Sequence, residues 1–388
     1  MQGSERLYYI DWIRVLAFLL LIAFHASIPF TVFPWEVKNA EQSKALSSVI
    51  WWLHQWRLPL LFFISGAGIH FSLQRRTMGA FLGERTVRLF IPLLFAMFFT
   101  IPVQVYVEFL QRGRFRGSYA EFYPSVWEMV PYPDGSLTWS HMWFVVYLIA
   151  FILLLSPLFW LFRWRRMKPV KEKISSFLSL PWVTAGLLLP LLAIFHALYL
   201  DYPETGGLIG DWFVFSFSIT LLLYGYLAGG NPAFWASCEK YRRPYLAVSV
   251  ATTLLLFALY WWPLRIPEER GSRFNLYAVL DCACIWSTIL AACGYARKYL
   301  NRNSSLLGYL TEAVFPFYII HQTLIVAIGY VIVQTSMPAW IKLPALATLS
   351  FISIFLVYHF IIRKTKLTRL LFGMKKPFGE SKKHFAHS

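Results

Sequence analysis

Ten stretches of mostly apolar residues, separated by short polar connectors, run the length of the chain. They cover 8–32, 47–72, 89–110, 141–162, 181–200, 210–229, 244–262, 275–296, 310–334 and 339–362. Each approaches the roughly 20 residues that a helix needs to cross a hydrocarbon core at about 1.5 Å rise per residue. The pattern predicts an all-α integral membrane protein with ten transmembrane helices. The sixth stretch is the least regular, because Gly225, Gly229 and Gly230 crowd its end. No internal repeat is evident, which argues against a transporter built from duplicated halves.

The polar residues inside these stretches carry the next information. The first stretch holds Asp11, Arg14 and His25. At about 100° per residue, Arg14 and His25 lie about 20° apart on the helix, with Asp11 about 40° to the other side of His25. One polar stripe therefore follows a single face, with about 16 Å of rise between Arg14 and His25. Ionisable groups at this depth are costly and mark pathways or reaction sites. Asp11 is too far along the helix to orient His25, and its spacing suits a pair with Arg14. The second stretch carries His54 and Arg57 on one face, and Ser65 beside Gly66. His141 opens the fourth stretch, Asp281 lies in the eighth, and His321 lies midway along the ninth. Ser65 is a candidate nucleophile, although a small residue beside a glycine also suits helix packing. His70, His196 and His359 lie near helix ends, where structural roles are expected.

Composition narrows the class. A chain of 388 residues with 58% hydrophobic content and 14% charged residues is not a soluble domain. Its formal charge of +17 does not indicate nucleic acid, because the positive residues sit in short connectors. No basic amphipathic helix and no metal-ligand spacing is evident. Counting alternate connectors, 25 Lys and Arg fall on one side and nine on the other. The positive-inside rule then places both termini in the cytoplasm. The first stretch reads as a retained signal anchor. Cys282, Cys284 and Cys293 share one apolar stretch and Cys238 stands apart, so a disulfide framework is not expected. The expected organisation is one membrane domain over 1–366 and a short basic tail over 367–388, on anionic lipid or disordered. The connector 111–140, with its arginines, carboxylates and aromatics, either folds over the outer mouth or is solvated.

Arg85 and Arg88 lie one turn apart in the connector after the second stretch. Paired guanidiniums bind phosphate well, although positive-inside charge alone also accounts for them. Phosphate binding at the inner boundary and histidines toward the outside suggest a donor entering from inside.

These residues together resemble the membrane-bound acyltransferase-3 family. Asp11-Trp12-Ile13-Arg14 followed by His25 is similar to its opening motif. The stretch from Leu58 to Gly66, the Arg85-x-x-Arg88 pair with Pro92, the segment from His141 to Tyr147, and the segment from Phe317 to Gln322 resemble its later motifs. The opening motif looks most like the branch that succinylates periplasmic glucans. The resemblance implies an O-acyltransferase that takes an acetyl or succinyl group from cytoplasmic acyl-CoA to a hydroxyl of an extracytoplasmic glycan. It implies His25, His141 and His321 as catalytic residues and Arg14, Arg85 and Arg88 as donor-binding residues. Asp11, His54, Arg57 and Ser65 would support them, and His54 and Arg57 match no general motif of the family. The expected partners are membrane lipid, acyl-CoA and the hydroxyl acceptor, with no permanently bound cofactor and no metal. The competing reading is a transporter or flippase using the histidines as a proton relay.

Overall fold

The computed structural model describes residues 7–375. Ten helices in it are long and apolar enough to cross a membrane. They are α1 (Tyr8–Phe30), α2 (Lys44–Gln74), α3 (Met78–Gln111), α4 (Ser140–Leu161), α5 (Pro181–Leu198), α6 (Trp212–Gly229), α7 (Arg242–Trp261), α8 (Ser272–Tyr299), α9 (Ser305–Val333) and α10 (Ala339–Ile362). Among the described residues there is no β-strand, only an isolated bridge between Pro131 and Leu137. The expected number and order of spanning helices are borne out.

The helices group into two compact units. The first takes in residues 7–17, 44–81 and 150–307, and the second residues 18–43, 82–149 and 308–375. In the first unit α8 is the most enclosed of the spanning helices and α5 the least. Alpha-helix α5 therefore presents most of its surface outward, where apolar side chains suit lipid.

The glycines that made the sixth stretch irregular prove to be packing devices. An added Cβ at Gly66 would sit 1.9 Å from the Leu222 carbonyl oxygen. One at Gly225 would sit 1.8 Å from that of Phe63. Only glycine lets the α2 and α6 backbones approach this closely, as in small-residue crossings of membrane helices. Ser65, half-buried, stands next to this crossing.

In the second unit α3 begins 11 residues before its expected start, so the Arg85/Arg88 connector is helical. Regular α-helix runs over Met78–Arg85 and gives way to wider turns at Thr86–Phe90 and Ala96–Thr100. Pro92 and Pro102 explain the change, since each lacks the N–H that an α-helix would donate to the carbonyl four residues earlier. One released carbonyl, on Phe98, accepts a hydrogen bond from the Tyr123 hydroxyl at 3.2 Å.

Two connectors have structure of their own, and the second departs from the sequence reading. The segment between α3 and α4 is folded rather than simply solvated. It contains a helical turn (Tyr119–Phe122) with a Ser118/Glu121 capping box, and its aromatics pack on Tyr106 and Phe109 of α3. The connector between α4 and α5 forms a helix over Lys168–Leu178 that carries Lys168, Lys171 and Lys173. Its Val170 and Phe177 remain exposed, so a basic amphipathic helix is present after all. The segment starting at Lys366 is also ordered as far as 375. It forms a short helix (Lys366–Leu371) and places Gly373, at φ +64°, against the Arg88 carbonyl. The remainder of the expected tail, 376–388, lies outside the described residues.

Candidate active site

Three histidines from three helices meet in the second unit. His25 comes from the end of α1, His141 from the start of α4 and His321 from the middle of α9. The His321 ring neighbours both others, with centroids 4.9 Å from His25 and 5.1 Å from His141. His321 and His141 are buried, while His25 is half-buried.

Their hydrogen bonds set the tautomers. The Nδ1–H of His321 donates to the Tyr318 carbonyl at 2.7 Å, which leaves the lone pair on Nε2. His141 is arranged the other way. Its Nε2–H donates to the Ile319 carbonyl at 3.2 Å, and its Nδ1 accepts from the Gln104 amide at 3.3 Å. Gln104 is itself held by Thr323 at 2.7 Å and by the Ser140 hydroxyl, which donates to its Oε1 at 3.1 Å. The Thr323 hydroxyl donates to the Thr100 carbonyl, in the widened turn of α3. The Tyr318 hydroxyl donates to the His141 carbonyl, and the Tyr318 ring stacks on His321. His141 therefore binds α9 at both main-chain and side-chain level around His321.

The connector after α1 adds groups that the sequence reading missed. Trp35 packs its ring edge-on against His25, 6.2 Å between centroids. The next residue, Glu36, accepts from the Gln322 amide at 2.7 Å, so this carboxylate is tied to the residue after His321. Burial raises the Glu36 carboxyl from 4.5 to about 7, with the Glu108 charge adding to the effect. Glu108 is paired with Arg112 at 2.8 Å and accepts from the Tyr132 hydroxyl. Lys38 locks the connector by donating to the carbonyls of Ile28, Thr31 and Phe33. Burial lowers its ammonium to about 8. Neither Glu36 nor Gln104 is part of a periodic pattern or a motif. Only the position of Gln322 beside His321 hinted at this shell.

The other candidate residues are distributed elsewhere. Arg14 pairs with Asp11 at 3.4 Å in the first unit, as their spacing suggests, and a Cβ added at Gly68 of α2 would lie 3.3 Å from its guanidinium. Arg88, in the second unit, donates to the Gly373 carbonyl at 3.0 Å and pairs with Glu84 at 3.3 Å. Arg85 closes the helical run before it. His54 and Arg57 lie in the first unit, where His54 meets Glu204 at 2.8 Å and Arg57 is 2% exposed. His70, His196 and His359 bond to Gln74, Asn275 and Tyr309, as suits structural roles. Among the described residues no three His, Cys, Asp or Glu side chains gather as a metal site, and the four cysteines are free and buried.

A family profile described as an acyltransferase domain, that of the acyltransferase-3 family, matches residues 7–359. The glucans biosynthesis protein C of Escherichia coli strain E24377A is 24% identical over 347 residues, covering 87% of this chain and 87% of its own. That of Escherichia coli K12 shows the same identity and coverage. No solved structure matches.

Proposed function

Because the chain belongs to the acyltransferase-3 family and is a membrane acyltransferase, we propose that it carries an acetyl or succinyl group from cytoplasmic acyl-CoA to a hydroxyl of an extracytoplasmic glycan. The observation that carries this reading is the three-imidazole cluster of His25, His321 and His141 inside the matched region. The Lys and Arg distribution supports cytoplasmic termini, hence a donor end near Arg85 and Arg88 and a histidine end toward the outside. The name of the curated relatives supports a glucan as acceptor. Nothing in the comparisons favours a transporter, and bacterial inner-membrane residence is part of the same reading.

The chemistry assigns different work to each imidazole. The acceptor oxygen attacks the thioester carbonyl carbon while His25 takes the hydroxyl proton. The tetrahedral intermediate collapses, the C–S bond breaks, and the thiolate of CoA takes up a proton. The hydroxyl loses one proton and the thiol gains one, so the balance is neutral. His321, with its lone pair on Nε2, stands beside the base, its ring 4.9 Å from that of His25. His141 has both ring nitrogens committed and acts as a positioning residue that holds His321. A covalent route, in which His25 carries the acyl group, uses the same residues. Arg85 and Arg88 would hold the donor phosphates, and Arg14, paired with Asp11, is a further donor-binding candidate. Acyl-CoA is a substrate here, and no resident cofactor enters.

The deciding experiment is acyl transfer by the purified protein in nanodiscs, using acyl-CoA and a glucan acceptor read by mass spectrometry. Wild type should consume the donor and label the glucan. His25→Ala should stay folded and inserted but lose at least about 100-fold in rate, the scale of a general-base contribution. Full activity in that variant would remove the assigned role.

A further inference from the structure

The segment that follows α10 is fastened to the second unit along its described length. A helix as short as Lys366–Leu371 does not hold itself in water. Its contacts hold it. The Thr365 side chain caps it by accepting from the Thr368 N–H, and the Thr368 hydroxyl donates to the Ile362 carbonyl at 2.6 Å. Arg369 pairs with Glu312 of α9 at 2.6 Å and donates to the Lys375 carbonyl at 2.9 Å. Phe372 and Met374 are buried, and the Phe372 ring meets that of Phe95 of α3 edge-on, 5.2 Å between centroids.

Gly373 is where this arm reaches Arg88. Its φ of +64° lies in the left-handed region that favours glycine. An added Cβ would sit 2.6 Å from the Arg88 carbonyl oxygen and 2.6 Å from the Phe315 ring of α9. The approach to α3 is therefore closed to a larger residue. From this position the Gly373 carbonyl accepts from Arg88 Nε at 3.0 Å, while Glu84 accepts from Nη1 at 3.3 Å. Two acceptors, one from the arm and one from α3 itself, fix the plane of the guanidinium. Its Nη2 has no partner among the described residues, and the side chain keeps 27% of its surface accessible. An arginine closing on an anion from a mobile state loses rotamer freedom, and fixing it beforehand removes that cost. The restraint here leaves Nη2 available for the anion.

We propose that the arm 366–375 is a positioning element of the donor site, which sets the Arg88 guanidinium for the phosphates of acyl-CoA through the Gly373 carbonyl. The assignment rests on the reading that Arg88 binds the donor. It gives this part of the expected tail a place in donor recognition rather than on the lipid surface.

The test is direct binding of coenzyme A, with no acceptor present, to the purified full chain in nanodiscs by calorimetry. Wild type should bind, and Arg88→Ala should weaken binding about tenfold or more, the scale of a lost charge-assisted contact. Gly373→Ala, which unseats the arm at Arg88, should weaken it about three- to tenfold, the scale of ordering one long side chain. Arg369→Gln, which removes the pair with Glu312, should do the same and decides the matter if Gly373→Ala does not fold. Thermal unfolding midpoints verify folding. In turnover assays both arm variants should raise the KM for acyl-CoA by the same factor at unchanged kcat, a split that general loss of structure does not produce. Unchanged affinity in a folded arm variant, with Arg88→Ala still impaired, overturns the proposal and leaves the donor reading standing. Tighter binding in the arm variants also overturns it, because the Gly373 carbonyl would then be competing with the donor. No binding by wild type, or full binding by Arg88→Ala, strikes the donor reading of Arg88 and the proposal with it.

Discussion

His141 differs from His321 in what its ring nitrogens do. Both are engaged, one on the Ile319 carbonyl and one by the Gln104 amide, whereas His321 donates through Nδ1 and keeps its lone pair on Nε2. Residue type alone does not separate these roles, because a histidine's tautomer is set by its partners. Glu36 gives a pH prediction at the same scale. Its carboxyl is raised from 4.5 to about 7 by burial. Below about 4.5 the group is protonated in both folded and unfolded chains and costs nothing. Between about 4.5 and 7 the unfolded chain releases the proton while the folded one keeps it, so stability falls and the full penalty is present above about 7. Unfolding midpoints between pH 5 and 7.5 should therefore decline more steeply in wild type than in Glu36→Gln. The arginines give a kinetic prediction. Arg85→Ala combined with Arg88→Ala should raise the KM for acyl-CoA at least about tenfold, the cost of losing one charge-assisted phosphate contact. Unchanged donor KM would leave these residues with topological and structural roles only.

At the scale of elements, two helices show how backbone chemistry builds the units. Prolines 92 and 102 force wide turns into α3, and side chains elsewhere in the second unit use the released geometry. Tyr123 bonds to the Phe98 carbonyl and Thr323 to the Thr100 carbonyl. Thr323 in turn steadies Gln104, so the widened helix is linked to the tautomer of His141. In the first unit the α2–α6 crossing depends on having no side chain at the contact. Gly225→Ala should lower stability by about 1–3 kcal/mol, because its Cβ meets the Phe63 carbonyl and the helices must separate. Gly83→Ala is the matched control. It sits within the helical run Met78–Arg85 with nothing within 4 Å of an added Cβ. It should be neutral or stabilise by up to about 1 kcal/mol. Unfolding midpoints of the two variants in the same detergent check both expectations.

For the molecule as a whole, orientation and chemistry meet in one prediction. If the positively charged connectors face the cytoplasm, a reporter active only outside the cytoplasm should be inactive when fused after α10 and active when inserted between α3 and α4. The reverse pattern would turn the proposed donor and acceptor ends around. Hydropathy period and span length determined ten helices without any tertiary information, because a bilayer demands about 20 apolar residues whatever their neighbours do. The helical repeat also put Arg14 and His25 on one face and paired Asp11 with Arg14, since contacts within a helix depend only on spacing. Motif order along the chain indicated the family. Tertiary structure alone decided which ionisable residues share a cluster. His25, His141 and His321 meet in one unit, while His54 and Arg57 belong to the other. It also decided that Glu36 and Gln104 belong to the histidine shell, and that the glycines of α6 are contact surfaces. The physical reason is common to these cases. A side chain's partners across helices depend on packing between segments hundreds of residues apart, and no local period encodes that distance.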